Sequence, residues 1–164
     1  MTRLYVRYSL LFTILMTLGV VIASFYFEYV DGLNPCPLCL MQRVCTIGIL
    51  ATAILGLLSS NRARLLRIFL GFQGVFAAFG IFFSARQVWL QWAPPEQSTL
   101  CLPGFKMIVH YLPWKEAVRT LFLGASDCAE VSWHFLGLTM PAWALIYFIF
   151  ILFSTVFVYF QENE

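Results

Sequence analysis

The chain has 164 residues, of which 61% are hydrophobic and 11% charged, against roughly 45–50% and about 25% in soluble domains. A water-soluble fold is excluded, and so are disorder and nucleic-acid binding, because a net charge of +2 leaves no basic face to neutralise phosphates. The 17 Phe, 7 Tyr and 5 Trp must face something other than a small protein core, and lipid is the solvent that suits them.

Taken in chain order, residues 8–27 form the first run without Asp, Glu, Lys or Arg, near the roughly 20 residues a helix needs to cross a bilayer core. Arg3 and Arg7 precede it in the manner of a signal peptide. The run is long and aromatic, however, and no A-x-A-like cleavage site follows, so it is read as a retained anchor. Two further charge-free runs occupy residues 44–61 and 68–85, and a fourth covers 135–160, within which the last span is placed at about 138–160. The expectation is an all-α membrane protein, a bundle of four transmembrane helices. Gly48, Gly56, Gly71, Gly74 and Gly80 fall inside these runs, where small residues let helix backbones approach closely.

Orientation follows from the basic residues. Arg3 and Arg7 flank the first span, Arg62, Arg64 and Arg67 fill the second connection, and residues 28–42 hold no Lys or Arg. Both termini and the middle connection are therefore expected in the cytoplasm, with outer loops at about 28–43 and 86–137. Within the second outer loop Trp114, Ala117, Val118, Leu121 and Phe122 recur at helical spacing, opposite Lys115, Glu116, Arg119 and Thr120. That pattern predicts a short amphipathic helix lying on the outer leaflet; packing against the end of the bundle is the plainer alternative.

This topology sorts the five cysteines. Cys36 and Cys39 fall in the first outer loop, Cys101 and Cys128 in the second, and Cys45 within a span. Outside a bacterial inner membrane the environment is oxidising, so the two outer pairs suggest disulfides, and Cys45 reads as an inert apolar residue. Stapling loops is what most disulfides do. A Cys-x-x-Cys bridge closes a very small ring and gains little chain entropy, which points to redox chemistry, whereas Cys101 and Cys128 fit a structural bridge on spacing alone. A four-cysteine zinc site is the other alternative; the wide separation of the second pair and the lack of a His near the first weigh against it.

The stretch Asn34-Pro35-Cys36-Pro37-Leu38-Cys39 reads as a capping residue, a proline suited to a first helical turn and two cysteines in the opening turn of the second span. The positive end of the helix dipole there favours a thiolate. Arg43 lies four residues beyond Cys39, one turn deeper on the same face. An arginine inside the apolar boundary is costly unless it is partnered. It either snorkels to the interface or holds negative charge beside Cys39, on the thiolate itself or on an oxygen of a membrane-dissolved electron acceptor.

Asn34-Pro35-Cys36-Pro37-Leu38-Cys39 with Gln42-Arg43, and Asp127-Cys128-Ala129-Glu130 with Trp133, Phe135-Leu136-Gly137-Leu138, Met140-Pro141 and Trp143, resemble the DsbB family. The likeness runs through the whole chain in span order, loop lengths and cysteine placement. It implies a four-helix inner-membrane oxidase that takes two electrons from a periplasmic DsbA-like thioredoxin-fold dithiol protein and passes them to ubiquinone or menaquinone. Such a relay oxidises the bacterial periplasm. By this resemblance Cys101 takes the partner's thiol in a mixed disulfide, Cys128 is released and exchanges with Cys36, and Cys39 is left as the thiolate facing the quinone. Arg43 stabilises that charge, Met140 lines the quinone pocket, and Gln87 donates a hydrogen bond to a quinone oxygen. Gln42 stands where familiar members carry an acidic residue, and Arg86-Gln87 where they place a His; Gln87 cannot titrate, so the proton source is left open. His110 and His134 read as surface or interface residues.

The implied partners are thus the dithiol protein, the quinone and the bilayer, with no nucleic acid and no metal. Two rivals stand beside the oxidase. One passes electrons outward to reduce substrates, for which cysteines within the spans or on both faces would be expected. The other is a non-catalytic four-span scaffold whose outer loops are stapled by two disulfides.

Overall fold

A computed structural model describes residues 2–30, 32, 36–92 and 134–161. Four helices carry it: α1 Thr2–Tyr29, α2 Pro37–Leu58, α3 Ala63–Trp92 and α4 Met140–Gln161. Each is long and apolar enough to cross a membrane. Phe153 and Leu15 are 73% and 68% exposed, and lipid is the only solvent in which whole rows of such side chains rest without penalty.

The helices outrun the charge-free runs. α2 starts at Pro37 rather than 44, and α3 spans Ala63–Trp92 rather than 68–85. A charged residue does not terminate the helix: an arginine near a span's end can send its charge to the interface on an apolar stem, and Arg43 is paired with Glu28 instead. At 30 residues, α3 is about 45 Å long and exceeds the roughly 30 Å hydrocarbon core.

The cap of α2 also differs from the reading of its sequence. Cys36, not Asn34, is the N-cap, with Pro37 the first helical residue. The Cys36 sulfur accepts the Cys39 amide N–H at 3.3 Å, satisfying one of the orphan donors of the first turn. A tight turn follows α2, in which Arg62 N donates to Ser59 O at 2.8 Å. It sets α3 antiparallel against its predecessor.

Packing follows chain order. α1 lies on α2, α2 on α3 and α3 on α4, whereas α1 and α4 scarcely meet. Leu38, Ile49, Phe83 and Phe148 build one buried cluster toward the end of the bundle that carries Cys36 and Cys39, and Val6, Leu10, Leu66 and Val158 another toward the opposite end. Two glycines make the close approaches. A Cβ on Gly48 would stand 2.8 Å from the Phe76 ring, and one on Gly80 would stand 2.3 Å from the Phe148 ring, so a large ring fills each notch. Hydroxyls within the spans bond back to their own helix: Thr46 to Gln42 O, Ser84 to Gly80 O and Thr155 to Ile151 O. These bonds pair hydroxyls that hydrocarbon would leave unsatisfied; Gln73, whose Nε2 donates to Thr155 Oγ1, keeps its Oε1 buried without a partner.

The only β structure among the described residues is a hairpin of β1, His134–Phe135, and β2, Leu138–Thr139. Its turn residues, Leu136 and Gly137, have φ of 53° and 79°, the two left-handed positions of a type I′ turn. Thr139 Oγ1 donates to Gln91 Oε1 at 2.9 Å, which fastens the start of α4 to α3. The amphipathic segment at 114–122 lies outside the described residues.

Candidate redox site and its cavity

The opening turn of α2 brings the Cys36 and Cys39 sulfurs to 2.9 Å, with Cys36 Sγ donating to Cys39 Sγ. A helix N-terminus supplies the positive end of its dipole to anything anionic there. From α3, Gln87 reaches the same point: its Nε2 lies 3.2 Å from Cys39 Sγ and 3.4 Å from Cys36 Sγ. Gln87 is held in turn by Gln42, whose Nε2 donates to Gln87 Oε1 at 2.8 Å. Both glutamines are buried, at 5% and 8% exposure, where a hydrogen bond is electrostatically stronger than in water.

One turn below Cys39, Arg43 points toward α1. Its Nε donates to Ser24 Oγ at 3.0 Å, its Nη2 to Ser24 O at 3.3 Å, and its Nη1 to Glu28 Oε2. The guanidinium also sits over the Phe25 ring, 4.6 Å from its centroid, a favourable place for a cation. Arg43 is therefore ion-paired rather than snorkelling, with its donors directed at α1, while Gln87 donates to the sulfurs from α3.

Between α1 and α4, at the end that carries Cys39, lies a cavity of about 720 Å³. Val20, Cys39, Arg43, Gln87, Met140 and Tyr147 all line it, so five residues singled out by the sequence or its hydrogen bonds share one space with apolar walls. Its floor is a link between the two helices, Thr17 Oγ1 to Tyr147 OH at 2.8 Å. Below that, Phe12 meets Phe150 and Tyr5 meets Phe157 edge to face. The lining residues Trp143 and Ile146 are 38% and 49% exposed, so the gap faces the lipid side.

The structure thus gathers Cys36, Cys39, Arg43, Gln87 and Met140 at one end of the bundle. Cys101 and Cys128 lie outside the described residues. Sequence reasoning missed Ser24, Glu28 and Tyr147. Position 28 entered that reading only as the start of the first outer loop, although a serine and a glutamate four residues apart at the end of an apolar run share a helix face and are a fair signal for a cation partner.

A model of the family described as disulfide bond formation protein DsbB matches residues 6–158. The chain belongs to the DsbB family. It is 40% identical over 130 residues to disulfide bond formation protein B of Stutzerimonas stutzeri, covering 77% of each chain. Against disulfide bond formation protein B of Acinetobacter baumannii it is 35% identical over 148 residues, covering 88% of this chain and 86% of the relative. Against disulfide bond formation protein B 1 of Pseudomonas aeruginosa the figures are 36% over 143 residues, 87% and 88%. Membership of DsbB makes the protein a disulfide-forming oxidoreductase, and its four apolar helices make it a multi-pass membrane protein.

Proposed function

We propose that this DsbB chain is a thiol:quinone oxidoreductase of the bacterial inner membrane, with both termini cytoplasmic and its redox cysteines facing the periplasm. A DsbA-like thioredoxin-fold dithiol protein gives up two electrons and two protons to the Cys101–Cys128 disulfide by thiol–disulfide exchange. That pair then exchanges with Cys36–Cys39. A ubiquinone or menaquinone supplies the final sink, accepting two electrons and two protons per turnover.

One observation carries this reading: the Cys36–Cys39 sulfur pair stands at the polar end of an apolar cavity that opens on the lipid side between α1 and α4. A quinone has the matching shape, a ring with two polar oxygens and a long isoprenoid tail that stays in hydrocarbon. Arg43 is the cation available to hold its oxygens, Gln87 lines the same cavity with its N–H donors on the sulfurs, and Met140 and Tyr147 would flank the ring. The outer dipole of α2 and the Gln87 amide favour negative charge on Cys39, while Arg43 sits where charge develops on an acceptor in the cavity.

The test is anaerobic. Detergent-purified protein is mixed with a reduced thioredoxin-like donor and a soluble ubiquinone or menaquinone analogue, and quinone absorbance is followed for the unaltered chain and for Cys39→Ser. Loss of absorbance only with Cys39 present is the expected result. Failure of every donor and quinone pair, with the cysteines found fixed as disulfides, would favour the stapled scaffold instead.

A further inference from the structure

We propose that Gln42 is a positioning residue for the Cys36–Cys39 dithiol: it holds the Gln87 carboxamide so that its N–H donors face the two sulfurs. The inference rests on the reading of Cys36–Cys39 as a working redox pair and adds to it the device that tunes the pair.

The geometry allows one orientation of the Gln87 amide. A glutamine side chain has a donating end and an accepting end. Gln42 Nε2 donates to Gln87 Oε1 at 2.8 Å, which commits the accepting end to α2. The donating end is the nearer to the sulfurs: Nε2 is 3.2 Å from Cys39 Sγ, whereas Oε1, to which a Cys39 thiol can donate, is 3.7 Å away. The same nitrogen is 3.4 Å from Cys36 Sγ, so one amide spans the pair.

The two states of the pair value those donors differently. A thiolate is a strong charged acceptor, and a disulfide sulfur is a weak one. Oxidation of the Cys36 thiol and Cys39 thiolate forms one S–S bond and gives two electrons and one proton to the acceptor, whose second proton is the one lost when the thiolate formed, so it removes the charge that Gln87 solvates. If Gln42 did not fix the amide, Gln87 would turn its oxygen toward the sulfurs in part of the population, repelling a thiolate. A pair of amides carries no proton equilibrium of its own, so the device works unchanged across the periplasmic pH range.

The experiment uses the full chain in detergent with Cys101→Ser and Cys128→Ser, reduced, so that the thiolate absorbance in the ultraviolet reports the α2 pair. Gln42→Met keeps the side chain's length without a donor, and Gln42→Leu serves if the first variant fails to insert. A hydrogen bond to a charged group is worth on the order of tenfold in an equilibrium, so either change should cut the thiolate-to-thiol ratio at neutral pH about tenfold. Gln87→Met should do the same, and Gln42→Met combined with Gln87→Met should be no worse than Gln87→Met alone. An unchanged thiolate population in both Gln42 variants, or additive losses in the double variant, would overturn the proposal. Quinone reduction by the unaltered chain is measured separately: its absence would sink the oxidase reading and leave the thiolate comparison intact.

Discussion

Thr17 and Tyr147 share a hydrogen bond of 2.8 Å that crosses from α1 to α4 at the floor of the cavity. Tyr147 is 8% exposed, so its hydroxyl has no water to turn to. Tyr147→Phe keeps the ring and removes the link. Hydrogen bonds between membrane helices average below about 1 kcal/mol, and the loss of stability should fall in that range. The larger effect should be on quinone KM, because α1 and α4 are then held only by the ring contacts and buried cluster farther from Cys39. Thiol exchange with the protein partner should stay unchanged, and steady-state kinetics with varied quinone would show the split.

Arg43 and Glu28 form a pair whose side chains are 14% and 26% exposed. Removing one member of a fully buried pair costs roughly 3–5 kcal/mol, and partial exposure should reduce this to about 2 kcal/mol. Glu28→Gln should leave a folded chain in which the guanidinium is less well aimed, with quinone reduction lowered about tenfold. Arg43→Ala should lower it further and spare single-turnover oxidation of the partner. Equal losses in both half-reactions would remove Arg43 from the quinone side.

Gly80 is the notch that admits the Phe148 ring, which is 1% exposed and lines the cavity. In Gly80→Ala the new Cβ would meet that ring at 2.3 Å, so the ring must shift toward the cavity. Overpacking of this kind costs about 1–3 kcal/mol, and quinone affinity should fall with stability. Gly71→Ala is the control, since nothing lies within 4 Å of its Cβ. A thermal melt in detergent should separate the two.

Leu136 holds a φ of 53° while 78% exposed, a backbone region that costs a branched apolar residue about 1 kcal/mol relative to glycine or asparagine. Leu136→Asn should therefore raise the melting temperature slightly. A fall would mean that the Leu136 side chain rests on something worth more than the backbone strain.

The four spans were legible because each contains a run without charge, and the relation of Cys39 to Arg43 because four residues make one turn. The helix ends were not. Arg43 and Arg67 lie inside helices that a charge-free window cuts short. The local signal also put the cap at Asn34, where the helix uses Cys36. The rest of the site depends on distances between segments far apart in sequence. Gln42 and Gln87 are separated by 45 positions, and nothing in either neighbourhood says that one amide orients the other. The fit of Gly80 to Phe148 is hidden for the same reason: a glycine in a span announces that something comes close, but not what.

The gap between α1 and α4 has a consequence for measurement. A reactant that arrives sideways from the bilayer is diluted by lipid, not by water. Its occupancy of the cavity follows its mole fraction in the membrane, so adding detergent or lipid at fixed total quinone should slow turnover as a competitive inhibitor would. An apparent Kd quoted per litre of buffer would then describe the preparation more than the protein.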